Sequence, residues 1–255
     1  MFFDTDGVYG QLAEALYQQT VSAADAKLQL PPVFIDSAEL LRGMGDELAE
    51  QASAHPGRAW GAAVVMELVA QQVNQPVWEG HAAVYQSWAA NLWVKLDIAQ
   101  SAADKAEALF LEHDHAHWGS VTIWLKHAQP WMIDREVALR ALEPLEHDWP
   151  LDEASGRVWF QHYLFSLAWG YLACDQSEAA LETVAKIEAF DHTFNDPVCL
   201  ARIPFLQGAI RRNQGHYSLA LTYYQQAAEQ IMHTSGTAFA SRIWCGHGHA
   251  PIQGT

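Results

Sequence analysis

The chain has 255 residues, of which half are hydrophobic and 17% are charged, a composition typical of a globular protein rather than a disordered one. Its 30 acidic residues outnumber the 14 basic ones, which gives a formal net charge of −16 at pH 7. Because so acidic a surface repels phosphate backbones, we expect a protein or peptide partner and no nucleic-acid partner. On charge alone, a basic peptide or a cationic metal fits this surface better.

The sequence also indicates a compartment. Three cysteines are too few and too scattered for a disulfide framework or a Cys-x-x-Cys zinc site, which suits a reducing environment. The first six residues, MFFDTD, lack the basic start of a signal peptide. The apolar stretch 60–70 contains Glu67 and is too short to span a bilayer. We therefore predict a cytoplasmic protein with no membrane partner.

Apolar residues recur at helical spacing along nearly the whole chain, and strand-like alternation is rare. Prolines fall between the helical segments, where a missing N–H does least damage. We predict helices at 7–20, 37–52, 59–73, 80–99, 101–117, 119–128, 134–146, 156–173, 176–189, 199–213 and 216–233. Helices of this length joined by short breaks predict an all-α fold, either an α-solenoid or a bundle.

Residues 208–227, GAIRRNQGHYSLALTYYQQA, carry the most specific pattern. Gly208 permits close approach of two antiparallel helices, and Gly215 suits a turn with positive φ. Small and large residues then alternate on one helical face: Tyr217, Ala220, Tyr224 and Ala227. The segment resembles the middle of a tetratricopeptide repeat, a two-helix unit of about 34 residues. This resemblance implies a right-handed solenoid of antiparallel helix pairs.

Earlier copies of the repeat set the predicted domains. A second copy fits from Gln161, at an offset of 40 residues, and a weaker third copy starts near Gly119. We therefore assign residues 119–234 to the repeats and residues 1–118 to a helical region of possible degenerate repeats. Residues 235–255 lack helical periodicity and are expected to form a tail, either frayed or truncated.

The resemblance also implies a binding groove lined by the first helix of each repeat. Carried over by position, the partner-binding residues are His162, Phe165, Trp169, Arg202, Phe205, Arg212 and Asn213. The arginines could pair with a carboxylate of the ligand. The lysine-and-asparagine clamp of some family members is not reproduced here. The alternative is that Phe165 and Trp169 pack in the core.

A histidine-rich segment suggests a second hypothesis. His113, Asp114 and His117 lie within LEHDHAHW, a dense set of nitrogen and oxygen ligands for a divalent metal. With His81 upstream, the segment is similar to the metal site of the all-helical HD phosphohydrolase superfamily. The alternative is structural, because cations in the last turn of a helix interact favourably with its dipole.

These patterns favour a non-catalytic adaptor that needs no cofactor and binds a partner peptide or helix in the groove of its repeats. The alternative is a metal-dependent HD-type phosphohydrolase, or a metal-binding protein, built on His81, His113 and Asp114. In that case the metal would lower the pKa of a bound water and polarise a phosphoryl oxygen.

Overall fold

The computed structural model of the protein describes residues 40–45, 48, 56–92, 94–129, 134–151, 154–190 and 197–235. Every regular element in these ranges is helical, which confirms the predicted all-α class. Residues 40–45 and 48 are helical, and two 3₁₀ segments occur at Ala116–Trp118 and Glu143–Asp148. The α-helices that follow are α1 Pro56–Gln72, α2 Pro76–Leu92, α3 Leu96–Glu112, α4 Gly119–His127, α5 Arg135–Leu142, α6 Ala154–Ala173, α7 Ser177–Ala189, α8 Pro197–Asn213 and α9 Tyr217–Ser235.

Part of the sequence prediction falls outside these ranges. The predicted helix 7–20 and residues 236–255 of the predicted tail are not among the described residues. None of the described helices combines the length and the apolar character that crossing a bilayer requires.

The chain divides into two compact units, one ending at Lys126 and the other beginning at His127. In the first unit α2 packs against both α1 and α3. The Ser87 hydroxyl on α2 donates a hydrogen bond of 2.8 Å to the Ala99 carbonyl on α3. Glu67 on α1 accepts from Gln86 on α2 and pairs with Lys105 on α3. One carboxylate thus links three consecutive helices of this unit.

In the second unit α6 pairs with α7, α8 pairs with α9, and α8 also contacts α7. Gly208 on α8 packs directly against α9. A Cβ atom built there would lie 2.8 Å from two ring carbons of Tyr224 and 3.2 Å from the Ala220 carbonyl oxygen. A side chain there would force the Tyr224 ring to shift, which confirms the sequence prediction that Gly208 permits close packing of the two helices.

Five helix ends share one turn geometry. Their left-handed residues, with φ between 55° and 79°, are Asn74, Val94, Asp114, Asp175 and Gly215. In each turn the N–H of the next residue donates to the carbonyl five residues earlier, at 2.8–2.9 Å. This is the Schellman arrangement, which satisfies carbonyls that the helix end leaves without a partner. Gly215 was predicted for this role, whereas the other four turns use residues with a Cβ atom.

Two of these turns correct the predicted helix boundaries. The prediction placed helices at 80–99 and 101–117, but the structure ends α2 at Leu92 and α3 at Glu112. The left-handed Val94 and Asp114 follow those ends at φ of 58° and 60°. Neither residue is a glycine, the residue that usually marks the end of a helix in a sequence.

Candidate interaction surface

In the second unit, α6 and α8 bring together most of the residues that the repeat resemblance placed in a groove. His162, Phe165 and Trp169 lie three or four residues apart on α6 and so share a face. The Trp169 ring centroid lies 6.0 Å from that of Phe205 on α8. The Arg202 guanidinium on α8 lies 5.9 Å from the centroid of the Phe165 ring. We call these five residues the α6/α8 surface.

Burial divides this surface into support and contact residues. His162 and Phe165 are each only 4% exposed, so they pack inside the unit. Trp169, Arg202 and Phe205 are half-buried and retain accessible area. His162 and Phe165 can therefore position their neighbours. Trp169, Arg202 and Phe205 can touch another molecule.

Arg202 is held against a neutral histidine. Its Nη1 lies 3.3 Å from Nδ1 of His162. Burial, and then the adjacent Arg202 charge, lower the pKa of His162 to about 3. His162 is therefore uncharged at neutral pH, and its Nδ1 accepts a hydrogen bond from a guanidinium that can only donate. The contact orients the arginine without neutralising it.

No carboxylate among the described residues forms an ion pair with Arg202, and its buried Nε has no hydrogen-bond partner. Two lysines in the same protein, in contrast, do pair with carboxylates. Lys126 lies 2.6 Å from Asp104 and 2.9 Å from Glu107, and Lys186 lies 2.7 Å from Glu146. Since a guanidinium has five N–H donors in a planar fork, Arg202 keeps the capacity to bind a carboxylate.

The remaining predicted groove residues, Arg212 and Asn213, lie exposed at the end of α8. The Asn213 amide donates to Asp175 at 3.4 Å, a long contact that leaves the side chain accessible. Ten residues of helix separate Arg202 from Arg212, which is about 15 Å along the axis. A ligand that lies along α8 can therefore meet both positive charges.

Tyr224 packs with the aromatic residues of the α6/α8 surface, although the repeat resemblance did not predict it as a groove residue. Its ring centroid on α9 lies 5.4 Å from that of Phe205, and its ring also covers Gly208. Burial raises the pKa of the Tyr224 hydroxyl, so the phenol stays neutral at physiological pH. The alternation of small and large residues in 208–227 is the sequence signal for this contact.

The second unit also holds a cavity of about 830 Å³ between α5 and the turn that follows α6. Its lining mixes both charges, including Asp134, Arg135 and Asp175. Asp134 caps α5 by accepting from two backbone N–H groups at 3.1 Å. The Cys174 thiol on the wall has a pKa raised by burial and by nearby Glu136, so it stays protonated. This cavity thus offers no activated nucleophile.

In the first unit, His81 occupies an aromatic enclosure. Burial, and then His115 and His117, lower its pKa to about 3, so the imidazole is neutral at physiological pH. Three rings surround it at centroid distances of 4.5 to 5.3 Å: Trp118, Phe110 and Trp78. These contacts give His81 a packing role on α2.

The structure does not bring His81, His113, Asp114 and His117 into one metal-binding group. Asp114 is exposed and forms the left-handed turn that ends α3, next to His113 at the C-cap. His117 is exposed in the 3₁₀ segment Ala116–Trp118. Across the described ranges, no three His, Cys, Asp or Glu side chains are arranged to hold a metal ion. The adjacency of His113 and Asp114 reflects how α3 ends.

Comparison of the chain with models of protein families, with curated proteins and with solved structures gives no match. The resemblance of residues 208–227 to a tetratricopeptide repeat therefore remains a prediction from the sequence.

Proposed function

We propose that this chain is a non-catalytic adaptor that binds an acidic segment of a partner protein along the α6/α8 surface. The observation that supports this most is Arg202, a half-buried cation that faces a neutral histidine and pairs with no described carboxylate. Removing a charge from water is costly unless a counter-charge compensates for it. A carboxylate from a partner would supply that compensation.

The proposed architecture is a solenoid of tetratricopeptide-like helix pairs in the C-terminal half of a cytoplasmic protein. The matching turns of the two helix pairs support it, because the left-handed residues Asp175 and Gly215 follow α6 and α8 in the same way. Their spacing of 40 residues is longer than the family's unit of about 34. The side-chain contacts between α6 and α8 support it further, since they place the first helices of two successive pairs side by side.

The chemistry of the surface defines the ligand. A carboxylate of Asp, Glu or a chain end can accept two parallel N–H bonds from the Arg202 fork. The accessible faces of Trp169 and Phe205 then contact apolar or aromatic side chains next to that acid. Arg212 offers a second positive charge to a longer segment. None of these contacts requires a metal or a cofactor.

Selection from a random peptide phage library, with the purified full-length chain as bait, tests the proposal. Peptides that place Asp or Glu beside aromatic or aliphatic residues should be enriched. Calorimetry on the best peptide should show more than about tenfold weaker binding to Arg202→Gln, because hydrogen bonds to charged groups contribute about 1.5–3 kcal/mol. Trp169→Ala should weaken binding as well.

Arg157→Gln is the matched control, since Arg157 is an exposed arginine on α6 and the change removes the same charge. Circular dichroism should show unchanged helix content in every variant. Selected peptides without acidic residues, or equal losses in the Arg202 and Arg157 variants, would refute the assignment of this surface.

A further inference from the structure

His162 and Arg202 occupy corresponding positions on the first helices of two successive helix pairs. They lie 40 residues apart, as do the left-handed residues Asp175 and Gly215 that follow α6 and α8. Nη1 of Arg202 lies 3.3 Å from Nδ1 of His162. His162 therefore lies within hydrogen-bond distance of the charged group of Arg202.

The partner of Arg202 differs from the partners of several other cations in this chain. Three lysines reach carboxylates on other elements: Lys105 reaches Glu67, Lys126 reaches Asp104 and Glu107, and Lys186 reaches Glu146. Arg202 reaches an imidazole across the helix contact instead. In a chain with 30 acidic residues, a neutral acceptor at this point sets Arg202 apart from those lysines.

The neutrality of His162 matters because of where the residue lies. The side chain is only 4% exposed, and burial followed by the Arg202 charge keeps the imidazole uncharged. Its Nδ1 accepts a hydrogen bond and contributes no negative charge. A carboxylate in the same place would form an ion pair with the guanidinium inside the chain. That internal pair would compete with any carboxylate that a partner brings.

The contact also determines which edge of the guanidinium is left for a ligand. Nη1 faces His162, and the buried Nε has no hydrogen-bond partner among the described residues. The edge formed by Nη1 and Nη2 remains, and it can donate two parallel N–H bonds to a carboxylate.

We propose that His162 determines the charge specificity of the α6/α8 surface, because it holds Arg202 in place and leaves the arginine's charge for a carboxylate of the partner. This inference rests on the proposed function and deepens it. At 4% exposure His162 does not itself touch the partner, so it is a positioning residue.

The variants His162→Asp and His162→Asn test this inference as a matched pair, since the two new side chains have similar size and differ in charge. The full-length chain is titrated in a calorimeter with the best selected peptide, and with an analogue in which amides replace its acids. The wild type and His162→Asn should prefer the acidic peptide by more than about tenfold, and His162→Asp by less than about twofold. A loss of packing alone would weaken both peptides equally and leave this ratio unchanged.

Circular dichroism should show unchanged helix content in both variants, and the pair His162→Glu and His162→Gln repeats the comparison if His162→Asp does not fold. Retention of the full acidic preference in the carboxylate variant would overturn this inference. If Arg202→Gln then still loses the preference, the proposed function stands without it. A wild-type chain that selects no acidic peptide would overturn both.

Discussion

Val94 is an exposed β-branched residue in a backbone conformation that suits glycine or asparagine, and replacing it should stabilise the first unit. Its φ is 58° and its side chain is 43% exposed. The left-handed conformation costs an L-residue about 1–2 kcal/mol. Asn74 adopts the same conformation one helix earlier, at φ 55°, with the same Schellman hydrogen bonds. We therefore expect Val94→Asn to raise the free energy of unfolding by about 1 kcal/mol.

Urea unfolding followed by circular dichroism and tryptophan fluorescence measures this gain as a higher transition midpoint. Val137→Asn is the matched control, because Val137 is 46% exposed within the helical backbone of α5. That change should shift the midpoint little, since valine and asparagine have similar helix propensities. The converse change, Gly215→Val, should lose about 1–2 kcal/mol at φ 79°, although a Cβ there meets no atom within 4 Å. Equal effects of Val94→Asn and Val137→Asn would show that backbone strain at Val94 is not the cause.

Two further predictions concern packing and pH. Gly208→Ala should destabilise the second unit by about 1–3 kcal/mol because its Cβ meets the Tyr224 ring at 2.8 Å. Gly119→Ala, whose Cβ meets nothing within 4 Å, should not, and thermal unfolding of both variants checks the difference. The pKa of His162 is about 3 in the folded chain and 6.5 ordinarily, so the unfolded state binds its proton first as the pH falls. Stability should be lost between about pH 6.5 and 3, by about 2 kcal/mol at pH 5 for His162 and similarly for His81. Urea titrations at pH 8 and pH 5 measure this loss, and a His162→Gln variant that keeps the full pH dependence would contradict it.

The sequence was most informative where a local pattern has only one physical solution. Apolar residues at helical spacing gave α1 and α4 to α9 to within a few residues, because an amphipathic helix needs that spacing to bury one face. Gly208 and Gly215 were assigned correctly, since close helix packing and a left-handed turn both favour a residue without a Cβ atom.

The sequence was least informative where packing overrides local preference. The left-handed turns after α2 and α3 use Val94 and Asp114 rather than glycine, so the sequence predicted the ends of these helices at the wrong residues. The same turn explains the histidine-rich segment. Its ligand-like density is local, but Asp114 ends α3, so the side chains are divided between a helix end and a 3₁₀ segment. The rings of His115 and His117 lie 5.4 Å apart, but no three such side chains among the described residues are arranged to hold a metal ion.

Composition and periodicity were enough to predict that this chain is acidic and helical, because both act over neighbouring residues. The hydrogen bonding and charge pairing of Arg202, in contrast, depend on contacts between distant parts of the chain. Its histidine neighbour lies 40 residues away on α6, and burial keeps that histidine neutral. A contact across 40 residues leaves no local pattern, and desolvation depends on everything packed around a group. For that reason only the contact between α6 and α8 in the structure shows that the Arg202 charge faces a neutral histidine and pairs with no described carboxylate.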